Sequence, residues 1–360
     1  MSRVVGYDGQ AFLTRNGGTG KGAQLRTLLG PFIRQFTGFA STDPNFGDIP
    51  LIQEGLAGYN LWQQLSLPGS LRRHKIDLFL ASSNTAPLRL PRKTELVLVL
   101  HDMIIMKDYE KSETRARFLD IYRRRLIPAS VARAQIVLTV SEHARQEILR
   151  IFPKANVRVI SCTVPQPWFS PRALAGRAGY ILMVTSSAPH KNADAAIAAY
   201  MLYARKAGSD ARPLKIVGLT NHAHRYASDL RESGLEALVH FLPYINEEDL
   251  RSTYQQAGAL FFPSLDEGFG IPVLEAMATG TPVLTSRAAS MPEVAGEAAG
   301  YFDPSSVEDM ASSLGRVLSD AALCERMAHI GLRQAQSFHP DLVRQKVIEF
   351  WREVANVTTV

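Results

Sequence analysis

Glu267 and Glu275 stand eight positions apart around a glycine-rich stretch, Ser264-Leu-Asp-Glu-Gly-Phe-Gly-Ile-Pro-Val-Leu-Glu-Ala-Met-Ala-Thr-Gly280. Two ionised carboxylates at this distance each accept paired hydrogen bonds, which suits vicinal hydroxyls. Gly268 and Gly270 allow backbone conformations closed to other residues and let a ligand approach the chain. Pro272 fits a first helical turn, and Gly280 followed by Pro282 ends the helix. A glycine turn opening into a helix leaves amides unpaired, and the helix dipole there favours an anion. Carboxylates beside a bound anion make sense where the ligand also carries hydroxyls. A phosphorylated sugar, or a nucleotide with its ribose, supplies both.

These residues need elements to hold them. Gly258-Ala-Leu-Phe-Phe-Pro263 reads as a short buried strand closed by proline, directly before the glutamates. It belongs to an alternating series of strands at Tyr180–Thr185, Leu214–Val217, Leu238–Leu242, Ala259–Phe262 and Pro282–Thr285. The helices between and after them are expected at Ala193–Lys206, His224–Ser233, Glu247–Ala257 and Val307–Leu318. The first half has the same character, with strands at Val4–Tyr7, Ile76–Ala81, Leu96–Leu100, Gln135–Val140 and Val157–Ile160. Helical patterns there cover Gln24–Gln35, Glu113–Ala132 and Ser141–Ile151, and residues 41–65 and 102–112 read as long loops. Pro165, Pro167, Pro171, Gly176 and Gly179 mark a linker at about 165–179. Two doubly wound parallel sheets follow, residues 1–165 and 166–340, facing each other across a cleft where a ligand meets strand carboxyl ends. The amphipathic helix Leu342–Val354 is expected to pack on a domain, with about 341–360 returning to the first.

Composition narrows the class. The 360 residues are 46% hydrophobic and 21% charged, ordinary values for a folded two-domain chain. The start, Met-Ser-Arg-Val-Val-Gly-Tyr-Asp, lacks a signal-peptide core, and no apolar run is long enough for a membrane span. Cys162 and Cys324 are too few for a disulfide framework or metal cluster, so a reducing cytoplasm is expected. The net charge of +6 divides unevenly: residues 1–165 hold 23 Lys+Arg against 13 Asp+Glu, and the rest 17 against 21. A solvated basic face and an anionic membrane surface both fit that excess. Nucleic acid does not, for lack of any recognisable binding signature.

With these motifs in order, residues Val239–Asp303 resemble the retaining GT-B glycosyltransferases of glycosyltransferase family four, the group-1 family that includes bacterial mannosyltransferases. The resemblance rests on Val239-His-Phe-Leu-Pro-Tyr-Ile-Asn-Glu-Glu-Asp-Leu250, the glutamate-flanked stretch, and Ser290-Met-Pro-Glu-Val-Ala-Gly296. It implies that Glu267 faces the transferred sugar while the amides around Gly268, Phe269, Gly270 and Ile271 approach sugar and phosphates. Glu275 would hold the donor's ribose. In Ser186-Ser-Ala-Pro-His-Lys191-Asn192 the family's phosphate loop is matched, with Lys191 against the diphosphate. Many members carry Gly-Arg where this chain has Thr185-Ser186, so a second cation is missing and Ser186 donates a hydrogen bond instead. The glycine cluster Gly17-Gly18-Thr-Gly20, which is not a dinucleotide fingerprint, would lie near the diphosphate through Gly18 and Gly20. His101, after the strand Leu96–Leu100, would touch the transferred sugar, and Asp102 would fix its ring or cap the next loop. A second departure is Ser161-Cys-Thr-Val164 where the family often has Asn-Gly-Val.

The expected activity is metal-independent hexosyl transfer with retention, without a cofactor. The donor is a nucleotide-diphospho-sugar, GDP-mannose before a UDP-sugar. The acceptor is a glycan or lipid-linked sugar of surface polysaccharide or lipopolysaccharide synthesis, met at the inner face of the cytoplasmic membrane. The rival readings are another GT-B enzyme (a sugar epimerase, or a sucrose or trehalose synthase) and a non-catalytic nucleotide-sugar-binding protein.

Overall fold

The computed structural model describes residues 2–13, 20–41, 49, 51–107, 114–171 and 179–358. The chain divides into two units, Met1–Thr163 with Pro340–Val360, and Val164–His339. Each is built on one wholly parallel sheet.

In the first unit the strands are β1 (Val5–Asp8), β2 (Thr37–Ala40), β3 (Leu51–Gln53), β4 (Leu78–Ala81), β5 (Glu95–Val99), β6 (Ile136–Thr139) and β7 (Val157–Val159). Their order is β3-β2-β1-β4-β5-β6-β7. The central strands β1, β4 and β6 are buried along their whole length, because helices cover both faces and leave no side for polar alternation. Order reverses between β1 and β4, so a crevice opens beyond their carboxyl ends. One face packs Val5, Tyr7, Leu28, Phe32 and Leu80, and the other packs Trp62, Leu71, Phe79, Leu98, Ile127 and Ile148.

The second unit holds β8 (Ile181–Val184), β9 (Leu214–Val217), β10 (Val239–Leu242), β11 (Ala259–Phe262), β12 (Val283–Ser286) and β13 (Ala299–Phe302), ordered β10-β9-β8-β11-β12-β13. Its reversal lies between β8 and β11, which pair Ala259 with Ile181 and Leu260 with Leu182. The loops carrying Lys191 and Glu267 therefore leave neighbouring strands at the switch point. Gly218, after β9, has φ of +100°, and a Cβ there would lie 2.0 Å from the Thr185 carbonyl oxygen. That contact admits only glycine, and it lets the ends of β8 and β9 stay in register.

Several expectations need correction. Residues 41–65 are not all loop: they include β3 and the start of a continuous helical run from Tyr59 to Arg73. Pro68 and Gly69 disguise that run, although Trp62, Leu67 and Leu71 give it a buried face. β2, β13 and the helix Ala321–Gln336 also escape the sequence pattern. β2 reads Thr-Gly-Phe-Ala and β13 reads Ala-Gly-Tyr-Phe, each too short and glycine-diluted to stand out. The segment after Val164 is no loose linker at its start, since Trp168 is buried in the second unit.

The helix Pro340–Ala355 packs on the first unit. It buries Val343, Val347 and Trp351, and the Trp351 indole N–H donates to the Leu28 carbonyl at 2.6 Å. The Phe36 ring meets Trp351 edge-on at 4.8 Å. Burying each such side chain contributes roughly 1.5–3 kcal/mol.

Candidate active site

In the second unit β8 and β11 deliver their loops side by side. The Lys191 Nζ donates to Glu267 Oε1 at 2.5 Å, and the Ser264 hydroxyl donates to the same oxygen at 2.7 Å. Side-chain exposures of 21% and 12% make this a half-buried ion pair. Lys191 Nζ also lies 5.5 Å from the centre of the Phe262 ring, a cation–π contact.

The two loops are fastened together. The Leu265 amide donates to the His190 carbonyl at 2.8 Å, and Asn192 Nδ2 donates to the carbonyls of Pro263 at 3.2 Å and Pro304 at 2.8 Å. Asn192 takes φ of +58°, a left-handed position that asparagine tolerates, and so turns the chain into the helix Ala193–Ala207. Buried serines complete the frame. Ser286 donates to the Ser264 carbonyl at 2.5 Å, and Ser290 donates to the carbonyls of Glu267 at 3.0 Å and Phe269 at 2.9 Å. Ser264, Ser286 and Ser290 escaped the sequence reading. The signal for Ser264 was its spacing of three residues from Glu267; Ser286 and Ser290 act through backbone carbonyls and leave no pattern.

Past Glu267 the chain turns into the helix Ile271–Ala278 through Gly270, whose φ is +95° and which serves as N-cap without a side-chain cap. A Cβ on Gly270 would come within 2.4 Å of the Met291 methyl carbon. Gly268, also expected to need such freedom, is not in the left-handed region. Phe269 is buried and edge-on to Phe338 at 5.4 Å, so its side chain is structural and only its backbone faces the turn. Ile271 is the first helical residue; Pro272, the second, carries no N–H, and the Val273 amide donates to the Gly270 carbonyl at 2.9 Å, so the Gly270 and Ile271 amides are the ones left to meet an anion. Ser186 lies on the β8 loop, where its hydroxyl accepts the Ala188 amide at 3.4 Å.

Glu275 sits apart from this cluster, on the flank of the same helix. Loss of hydration pushes its carboxyl up to about 7; the Tyr254 hydroxyl lowers it and the Glu247 carboxylate raises it further. The residue nonetheless keeps an edge in contact with solvent. Tyr254 is fully buried, and its hydroxyl faces Glu275 without completing a well-formed hydrogen bond. Behind it the Trp168 ring is edge-on at 5.5 Å, and the Trp168 indole donates to Glu247 at 2.9 Å.

His101 belongs to the first unit. Its amide donates to Asn84 Oδ1 at 2.9 Å, and its Nε2 lies 3.2 Å from the Ser82 carbonyl. Asp102 caps the following turn through the Ile104 amide at 3.0 Å. At the switch point, linked to His101 through Ser82, lies Asp8, the last residue of β1 and fully buried. It accepts the Gln10 amide at 2.9 Å and the Tyr59 hydroxyl at 2.8 Å, while Ser82 donates to its carbonyl at 2.9 Å. Burial pushes the Asp8 carboxyl up to about 6, against these two hydrogen bonds to it. Gln63 extends the network to Tyr59 at 2.6 Å and to the Thr85 carbonyl at 3.0 Å. Gly18 lies outside the described residues, and Gly20 opens the helix Gly20–Leu29.

Each unit is a doubly wound sheet with loops at its switch point, and comparison with known proteins gives the family. The model of Glycosyltransferase Family 4 matches residues 28–166, and that of Glycosyl transferases group 1 matches residues 167–334. The chain belongs to this glycosyltransferase family. It is similar to O-antigen chain mannosyltransferase B of Escherichia coli, with 30% identity over 305 residues, 80% of this chain and 77% of that one. It is 33% identical over 200 residues to the O-antigen chain mannosyltransferase RfbU of Salmonella typhimurium, 55% of each chain. Among solved structures, sucrose-phosphate synthase from Thermosynechococcus elongatus superposes with a TM-score of 0.77 over 99% of this chain and 100% of that one. At 18% identity that likeness shows the GT-B fold alone. Among the described residues no helix is long and apolar enough to cross a membrane.

Proposed function

We propose that the chain is a retaining hexosyltransferase that moves mannose from a nucleotide-diphospho-sugar, GDP-mannose, to a glycan or lipid-linked acceptor in surface polysaccharide or lipopolysaccharide synthesis. One observation carries the reading: Lys191, Ser264 and Glu267 meet at the β8–β11 switch point, beside an uncapped helix start. The donor's diphosphate takes Lys191 and the Gly270 and Ile271 amides as partners, leaving the Glu267 carboxylate to the sugar hydroxyls. Charge develops on the departing diphosphate, and these groups are already oriented toward it. Neutralisation by Lys191 and amides requires no metal ion. Glu275 holds the ribose hydroxyls, and His101 orients the sugar. The leaving phosphate oxygen accepts the acceptor's proton on the face of attack, so no protein nucleophile takes part. Mannose is favoured because both relatives named above are mannosyltransferases.

The test offers GDP-mannose and UDP-sugars with a set of mannose-containing acceptors, and reads the product by mass and by NMR of its anomeric centre. Retained configuration, a preference for GDP-mannose and rates unchanged by EDTA are expected. Inverted product sinks the mechanism. Donor binding without turnover on any acceptor would instead identify a nucleotide-sugar-binding protein.

A further inference from the structure

Eight large apolar side chains are exposed among the described residues, and four of them share one edge of the first unit. These are Leu56 (46% exposed), Leu61 (59%), Leu65 (65%) and Leu88 (51%). Hydrogen bonds fix their proximity: the Leu56 amide donates to Ser66 Oγ at 3.0 Å, and the Leu88 amide donates to Gln64 Oε1 at 2.9 Å. Leu61 and Leu65 lie one turn apart on the Tyr59–Arg73 helical run, and the same face continues through the half-buried Pro68 to exposed Arg72. From Gly55 to Leu71 the chain has no charged residue.

Cations border this apolar surface. Arg72, Arg89, Arg92 and Lys93 are exposed and make no ion pair among the described residues. Residues 55–94 contain six Lys+Arg and a single acid, Asp77. Its carboxylate is engaged by the Val4 amide at 3.0 Å. The loop holding Leu88 and Arg89 is tied to the helix Thr114–Arg133, where Arg133 donates to the Leu90 carbonyl at 3.4 Å.

We propose that this edge docks on an anionic lipid bilayer, with the four leucines entering the headgroup–acyl boundary and the free cations meeting lipid phosphates. A second copy of the chain would have to bury the unpaired arginines against an identical, equally basic surface, which costs more than it returns. A bilayer takes both parts: apolar side chains at the interface, and cations near the surface charge. The helical run that carries the leucines begins at Tyr59, which holds Asp8 at the switch point. The surface thus adjoins the proposed acceptor side, and this consequence rests on the transferase reading, whereas docking itself does not.

The experiment is co-sedimentation of the full chain with phosphatidylglycerol–phosphatidylcholine vesicles, compared with phosphatidylcholine alone. Binding to the anionic vesicles, weakened at least tenfold by about 0.5 M salt, is expected. The double substitution Leu61→Glu with Leu65→Glu should lower it at least about tenfold with an unchanged melting curve, and so should Arg72→Glu with Arg89→Glu. Leu342→Glu, at an exposed leucine elsewhere, should bind as the wild type does. The proposal is overturned if anionic vesicles are not bound, or if the leucine pair can be replaced without loss. It is equally overturned if sedimentation shows a dimer that the leucine substitutions dissolve. Transfer to a soluble acceptor, run in parallel, should be unaffected by these substitutions. Its absence in the wild type would count against the transferase reading and leave the docking result standing.

Discussion

The two switch points solve the same geometric problem with opposite electrostatics. Between β8 and β11 a half-buried ammonium and carboxylate face each other, clamped by serines and by Asn192. Between β1 and β4 a single fully buried carboxyl, Asp8, is surrounded by neutral donors from Tyr59 and the Gln10 amide. The first arrangement stores charges that a charged ligand can redistribute. The second is a lone carboxyl without a counter-charge, in a framework that holds backbone, and through Ser82 it reaches the carbonyl that faces His101. On the proposed function, chemistry concentrates in the second unit, and shape in the first.

The strongest challenge to this division replaces one residue from each side. Glu267→Gln should lower transfer about a thousandfold while changing nucleotide affinity less than about threefold, and His101→Ala should cost only about tenfold to a hundredfold. Equal losses, measured as kcat on a mannose-containing acceptor, would erase the contrast. Lys191→Ala comes next. It leaves Glu267 as an uncompensated half-buried charge and removes the diphosphate's cation, so kcat/KM for the donor should fall about a hundredfold. A loss below tenfold would mean that the amides alone suffice.

The Asp8 framework can be probed through its titration. The carboxyl of Asp8 moves from 3.8 to about 6 on folding, so the folded state keeps a proton that the unfolded state has lost. Its contribution is fully present below about pH 4 and disappears as pH rises through about 6. Asp8→Asn lacks this dependence, so the variant should gain about 3 kcal/mol relative to the wild type between pH 4 and 7. Urea denaturation at several pH values measures it; parallel stability curves would show that Asp8 does not titrate there. The smallest effect concerns Glu275. With its carboxyl up to about 7, nucleoside-diphosphate affinity should fall up to tenfold per pH unit below that value, and Glu275→Gln should flatten the profile.

How much of this was legible in the sequence follows from where each signal resides. Glu267, Glu275 and Lys191 announce themselves because charged residues next to buried strands are rare and their spacing is local. The doubly wound layout is equally visible, since apolar runs such as Ile136–Thr139 alternate with capped helices such as Glu142–Ile151, whose Ser141 accepts the Ala144 amide. Asp8 was hidden: its partner Tyr59 is 51 residues away, on a helical run disguised by Pro68 and Gly69. Gly218 was hidden too, because what excludes a side chain there is the Thr185 carbonyl of another strand. Spacing reveals what neighbours in sequence do together, whereas these two depend on neighbours that only the sheet creates.

The insertion of Trp351 beneath Leu28 has a consequence for how the molecule is made. The second unit is one continuous stretch, whereas the first is closed by residues that follow the second in the chain. On a ribosome, β8 to β13 emerge complete while the surface around Leu28 and Phe36 still waits for its cover. Domains fold as their sequences become available. The unit begun first is thus closed only after the second is complete, and its exposed apolar groove is the nascent chain's point of vulnerability until the helix Pro340–Ala355 arrives.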